Sequence, residues 1–287
     1  MTNRKLRNLN MVHSSSPLPF EDRVRGLQNS TIGLHCMIQK SRNYSHPLMA
    51  AIALLCGLFL ITVSTPDTLR ADDGSPDQEY TDSEIGAFYE KVILNPITVN
   101  SNPYRGHALS TWYEYPEEAV CAVKYAEDKI HYVIATFENE NAAEESGFIV
   151  THKGHCGTCS TLQDLATYLY HPDLTTPVRR CSALFWFRPW SINCLENLGF
   201  TSECAQTWYF NAQNTAQECF RPCIDAWLKD DPFNNPDGSL NDCLACDEEQ
   251  SGPVFKYVAG RTRRNSGIPS AIDRPDEEIY PIIHDYY

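Results

Sequence analysis

Hydrophobic and polar positions divide the chain into three regimes. Residues 1–46 are polar and basic with no sustained period, which predicts a disordered tail. Residues 47–64 (PLMAAIALLCGLFLITVS) are uniformly apolar and uncharged, the pattern of one transmembrane helix. Residues 65–82 are rich in Asp, Pro, Gly and Ser and read as an acidic linker. From residue 83 to 287, short apolar runs alternate with turns. KIHYVIATF (129–137), GFIVTH (147–152) and ALFWF (183–187) have strand length and strand composition, as does PVFKYVAG (253–260). TLQDLATYLY (161–170) instead places Leu162, Leu165, Ala166 and Leu169 on one helical face and stops at His171-Pro172. Ser160 and Gln163 form a capping box for it.

Further on, INCLENL is a helix that Gly199 ends, and Thr201 or Ser202 caps the next. Cys204, Trp208, Ala212, Cys219 and Cys223 then recur at helical spacing until Pro222 disturbs the pattern. Cys219 and Cys223, four apart, share a face and can reach one neighbouring element. The sum is an α+β fold: one loop-rich domain with a small sheet and a helical, cysteine-bearing segment, preceded by the membrane helix.

Charge gives the apolar run a direction. Residues 1–46 hold Arg4, Lys5, Arg7, Arg23, Arg25, Lys40 and Arg42 against Glu21 and Asp22, whereas the remainder of the chain is strongly acidic. Positive flanks stay cytoplasmic, so the expectation is a single-pass protein with a cytoplasmic N-terminus and a lumenal or extracellular domain. A signal peptide starting at Met37 is the rival reading, and it delivers the same domain to the same side. The acidic balance argues against nucleic-acid binding. The sequons at Asn29 and Asn43 fall before the run, and none follows it.

Cysteine usage agrees with export. Of 12 cysteines, Cys36 and Cys56 precede or lie in the run; Cys121, Cys156, Cys159, Cys181, Cys194, Cys204, Cys219, Cys223, Cys243 and Cys246 form an even set beyond it. Even sets in exported chains signal disulfides.

The densest chemistry is HKGHCGTCS (152–160). Three readings compete. As staples, Cys156 and Cys159 each bond a distant cysteine. As a redox centre, CGTC sits between a strand and a helix N-terminus, where thiolate is favoured, with Cys156 as nucleophile and Cys159 resolving. Over this strand–turn–helix stretch the pattern resembles the thioredoxin superfamily, which implies a thiol–disulfide oxidoreductase with PVFKYVAG as the proline-preceded strand facing the pair. It departs from that family in having His155 rather than an aromatic residue before Cys156, and in the long insertion ahead of Pro253. As a zinc site, His152, His155, Cys156 and Cys159 supply imidazole and thiolate donors, with CLAC (243–246) as partner cluster.

RTRRNSG (261–267) is the other dense motif. Arg261, Arg263 and Arg264 suit an anionic ligand, a processing protease, or salt bridges to the acidic surplus. FNNPDGSLND (233–242) lacks acids where a calcium loop needs them and reads as a turn. No nucleophile elbow or HExxH organises His107, His131, His152, His155, His171 and His284; the terminal IIHDYY offers a His–Asp pair. The reading that best fits the whole is a non-enzymatic binding or structural module, with unidentified protein partners; oxidoreductase and zinc-binding domain are the alternatives.

Overall fold

A computed structural model describes residues 80–105, 112–183 and 186–286, within a compact unit that spans Gln78–Tyr287. The apolar run at 47–64 and the basic tail lie outside the described residues, and so does Cys56. Among the described residues no helix is long and apolar enough to cross a membrane.

The sheet is small and mixed, ordered β1-β3-β2-β4. β2 (Val120–Tyr125) runs antiparallel to both β3 (His131–Phe137) and β4 (Ile149–Lys153), and β1 (Val92–Ile93) adds to β3 in parallel. A register irregularity between Cys121 and Ala122 interrupts the β2–β4 ladder. Alternation sends Cys121, Val123, Tyr132 and Ile134 into the main core, while Val120 and Ala122 face the opposite side. There Ala143 of α2 (Glu140–Glu145) covers them, together with Phe137, Phe148 and Val150.

Helices build the rest. α1 (Asp82–Tyr89) starts on a full capping box between Thr81 and Glu84 and packs on α3 (Leu162–Tyr170). α4 (Thr175–Ser182) and α5 (Arg188–Asn197) form a hairpin closed by Cys181–Cys194. α6 (Ser202–Glu218) is the long strut of the domain. It breaks at Cys219, and α7 (Phe220–Lys229) begins directly after. The break falls there because Pro222 has no N–H for the Glu218 carbonyl and its ring clashes with that turn. α8 (Asp242–Gln250) and α9 (Gly252–Ala259) complete the order.

Several expectations change. PVFKYVAG is helix α9, not a strand; its proline lies in the first helical turn, where the missing N–H costs nothing. ALFWF is not a described strand: Ala183 caps α4, Trp186 and Phe187 lead into α5, and residues 184–185 fall outside the described set. The α3 cap is Thr161, not Ser160, and Thr161 exchanges hydrogen bonds with Asp164. FNNPDGSLND is a turn closed by an Asn234–Leu240 bridge, with Gly238 at φ 84°.

Five disulfides pair all ten downstream cysteines: Cys121–Cys156, Cys159–Cys204, Cys181–Cys194, Cys219–Cys246 and Cys223–Cys243. The last two join Cys219 and Cys223 to one element, α8, as their helical spacing anticipates. Such pairing points to an oxidising lumenal or extracellular environment.

Candidate functional site where two motifs meet

The two motifs singled out by sequence pack against each other. β4 ends at Lys153, and the CGTC turn that follows lies along the C-terminal end of α9. Thr158 N–H and Cys159 N–H donate to the carbonyls of Val258 and Ala259 at 2.9 Å each, and His155 Nε2 donates to Tyr257 O at 2.7 Å. The turn therefore serves as the C-cap of α9, satisfying carbonyls that a helix end leaves free. Backbone contact this close needs two glycines. A Cβ on Gly157 would lie 2.5 Å from Gly260 N, and one on Gly260, whose φ is +71°, would lie 2.4 Å from Gly157 N.

Cys156 and Cys159 are not a dithiol pair. Cys156 bonds Cys121 on β2, and Cys159 bonds Cys204 on α6. Cys156 is bonded to the sheet and Cys159 to the helical layer, so the redox centre expected from CGTC is not formed. The facing strand it required is a helix, as above. For the same reason the zinc reading loses its thiolates, and no group of three potential ligands clusters among the described residues.

What the motifs do build is a sealed polar centre. Arg261 is fully buried. Its guanidinium donates to Thr151 O and Ser266 Oγ at 3.0 Å and to Thr151 Oγ1 at 2.5 Å; Nε has no protein acceptor. Because arginine only donates, it orients the hydroxyls around it. Thr151 Oγ1 then donates to Tyr286 Oη at 2.8 Å, and Tyr286 donates to His284 Nδ1 at 2.6 Å. His284 Nε2 donates in turn to Ser266 O at 2.8 Å. The chain of bonds closes on the loop that began it.

A second branch runs through His152. Nδ1 donates to Lys153 O at 3.0 Å, which leaves Nε2 to accept from Ser160 Oγ at 2.7 Å. Ser160 Oγ accepts from Gly157 N–H at 2.8 Å. A serine hydroxyl donating to imidazole has the polarity of a nucleophile–base pair. Here it has no room to act: Ser160 and His152 are both fully buried, and a methyl group on Gly260 would sit only 2.8 Å from Ser160 Oγ. The pair holds the turn; it does not admit an acyl group.

Electrostatics follow from burial. Desolvation, with the Arg261 charge next, drives His152 well below the ordinary imidazole value. The same two causes lower His284 to about 3. Burial also pulls Arg261 down, while Tyr286 and Asp164 pull it back. Asp164 is fully buried and pushed up to about 6 by desolvation, against hydrogen bonds from Thr161 and Thr201. Among the described residues no carboxylate pairs with Arg261. Its compensation is the oriented hydroxyl and carbonyl set, with Asp164 acting at longer range.

The three arginines do not share a face. Arg263 donates to Pro269 O and to His171 O and lies over the Tyr168 ring. Arg264 pairs with Glu278 at 2.6 Å and Glu248 at 3.1 Å, the salt bridges anticipated from the acidic surplus. The Arg264 carbonyl accepts from Tyr280 N–H, which pins the segment around Asn265 under the C-terminal tail. IIHDYY delivers a His–Tyr pair rather than a His–Asp pair: His284 and Tyr286 point inward and Asp285 outward, the alternation of an extended chain. Thr151, Ser266 and Tyr286 were not found by sequence, since isolated hydroxyls carry no spacing signal.

Comparison with known proteins adds one match. Residues 188–282 fit the model of a family of unknown function (DUF8771). The matched stretch runs from α5 to the tail, so it includes Arg261 and the two disulfides to α8, Cys219–Cys246 and Cys223–Cys243, but not the sheet or CGTC. No curated protein and no solved structure matches.

Proposed function

We propose that this chain is a membrane-tethered, exported module that presents a fixed surface to partners and performs no catalysis. The supporting observation is that, among the described residues, the CGTC cysteines and the buried His152, Ser160, Arg261 and His284 are consumed internally. The ten cysteines are paired, and His152, Ser160, Arg261 and His284 bond one another or backbone and are closed to solvent. A catalyst needs at least one such group facing a space that substrate can enter. In this reading residues 47–64 span the bilayer with the basic tail in the cytoplasm.

The test is thiol alkylation of the full chain from a secretory host, with and without reduction, combined with protease protection of sealed vesicles. The ten downstream cysteines should be unreactive before reduction, and the domain beyond residue 80 should be protected inside the vesicle. A pair at Cys156 and Cys159 that reduces first, or a domain digested from outside, would overturn the reading.

A further inference from the structure

We infer that the outer face of α7 lies in the boundary layer of a phospholipid bilayer and seats the domain there; this rests on the tethered reading above. The helical period gives α7 two stripes. Cys219 at its N-cap, Cys223 and Ala226 form the inner one: both cysteines are bonded to α8, and Ala226 is buried. The residues one position further on, Phe220, Ile224 and Trp227, form a stripe rotated by about 100°, with Leu228 beside it. Phe220, Trp227 and Leu228 expose 61%, 71% and 72% of their surface, and Ile224 is partly buried. A helix side that faces water ordinarily carries polar residues. Because Cys219–Cys246 and Cys223–Cys243 anchor the inner stripe, the helix cannot roll to bury the outer one.

Chain length and area choose the occupant. Residues 65–79 separate the apolar run from Tyr80 and reach about 50 Å at full extension. A globular unit of about 200 residues is roughly 45 Å across, so the tether lets any face meet the bilayer. The face that does so is the one that gains most by leaving water. Tryptophan beside phenyl and aliphatic groups suits the boundary between headgroups and acyl chains. A second copy of the chain is the weaker fit. The four side chains together offer about 500 Å², below the roughly 800 Å² per partner of a stable interface.

Charge does not make the choice. Arg221 and Lys229 are offset by Asp225, Asp230 and Asp231 on the helix and the turn after it. In a strongly acidic domain this favours a zwitterionic surface over an anionic one, so phosphatidylcholine is the lipid expected.

Trp227 serves as its own reporter. The full chain, Trp227→Phe and Leu228→Asp are reconstituted into phosphatidylcholine vesicles with or without acyl-brominated phosphatidylcholine. Flotation is scored together with tryptophan emission; all five tryptophans (Trp112, Trp186, Trp190, Trp208, Trp227) lie outside the apolar run, so the tether adds no signal. All three proteins should float. Bromination should quench one component of the wild-type emission, and both variants should lose that component. Trp227→Phe loses it with the reporter; Leu228→Asp loses it because a charge keeps the face out of the lipid while all five tryptophans remain. Leu228 is an exposed side chain, so its replacement leaves the fold intact. A wild type that floats unquenched, or either variant keeping the quenched component, overturns the inference and leaves the tether standing. If Leu228→Asp alone fails to float, the face binds lipid unaided and the tether reading fails. If none floats, both fail. A dimer captured by cross-linking in the vesicles and lost in Leu228→Asp also overturns the inference, since the face would then join two copies.

Discussion

Two regions of this domain reverse the usual segregation of polar and apolar groups, in opposite directions. Around Arg261 the core holds a guanidinium, two imidazoles and several hydroxyls. On the α4–α5 hairpin, Trp186, Phe187 and Trp190 are exposed over most of their surface. The centre tolerates burial because nearly every donor there meets an acceptor inside the protein, and an unmet buried donor costs about 1–3 kcal/mol. The tip tolerates exposure because Cys181–Cys194 and the buried hairpin base hold it out. The first region is thus an internal fastener, and the second leaves aromatic rings exposed on the surface. Buried chemistry is not by itself evidence of catalysis, nor is an exposed apolar group a defect.

The sharpest way to break the comparison is to remove the fastener. Arg261→Ala leaves Thr151 O and Ser266 Oγ without their donor and opens a cavity, and should cost about 3–5 kcal/mol in urea unfolding. Arg261→Met keeps the volume and should recover part of that loss. A cost below 1 kcal/mol for the alanine variant would mean that the polar centre does not hold the fold.

Disulfides come next. Replacing Cys159 and Cys204 by serine frees a separation of 45 residues and should cost about 4 kcal/mol; the same change at Cys181 and Cys194, separated by 13, should cost about 3. Equal thermal shifts for the two pairs would argue that loop length does not govern them.

Acidification probes the imidazoles. His152 and His284 have folded-state values below that of the unfolded chain, so between pH 6.5 and their folded values the unfolded chain binds the extra proton. The stability they contribute is therefore present above pH 6.5 and lost as pH falls, about 2 kcal/mol at pH 5 for His284. Asp164 has the opposite sign. Its raised value gives stability that is complete below the ordinary carboxyl pKa and lost as pH rises through about 6, so at pH 5 it returns roughly 1 kcal/mol. The histidines win. The urea midpoint should fall from pH 7.5 to pH 5, and His284→Gln should flatten that slope.

The smallest effect belongs to the tip. Phe187→Ser and Trp190→Ser should change stability in solution by less than about 0.5 kcal/mol, since exposed side chains lose little when removed. A larger loss would place those rings in the fold rather than on its surface.

Much of the secondary structure was legible in the sequence. β3, β4 and α3 follow from alternation and from the helical recurrence of Leu162, Leu165 and Ala166. The even cysteine set beyond residue 64 already pointed to staples, and the spacing of Cys219 and Cys223 to a common partner element. PVFKYVAG misled because valine and aromatic residues favour strands in isolation, yet here the carbonyl-capping CGTC turn completes a helix. β2 escaped notice because VCAVKY is buried on both faces and shows no clean alternation.

By itself, then, the sequence determined the apolar run and its charged flank, the export signature, and the local periods. Those depend on neighbours along the chain. Only the tertiary structure decided which cysteines meet, that Gly157 and Gly260 bring two backbones into contact, and that Arg261, Thr151, His284 and Tyr286 close one hydrogen-bonded circuit. Those depend on groups 13 to 45 positions apart for the disulfides, and more than a hundred apart for the Gly157–Gly260 contact and the Arg261–Thr151 and Thr151–Tyr286 bonds; their pairing is fixed by the packing of sheet, helix and tail and leaves no period for the sequence to display.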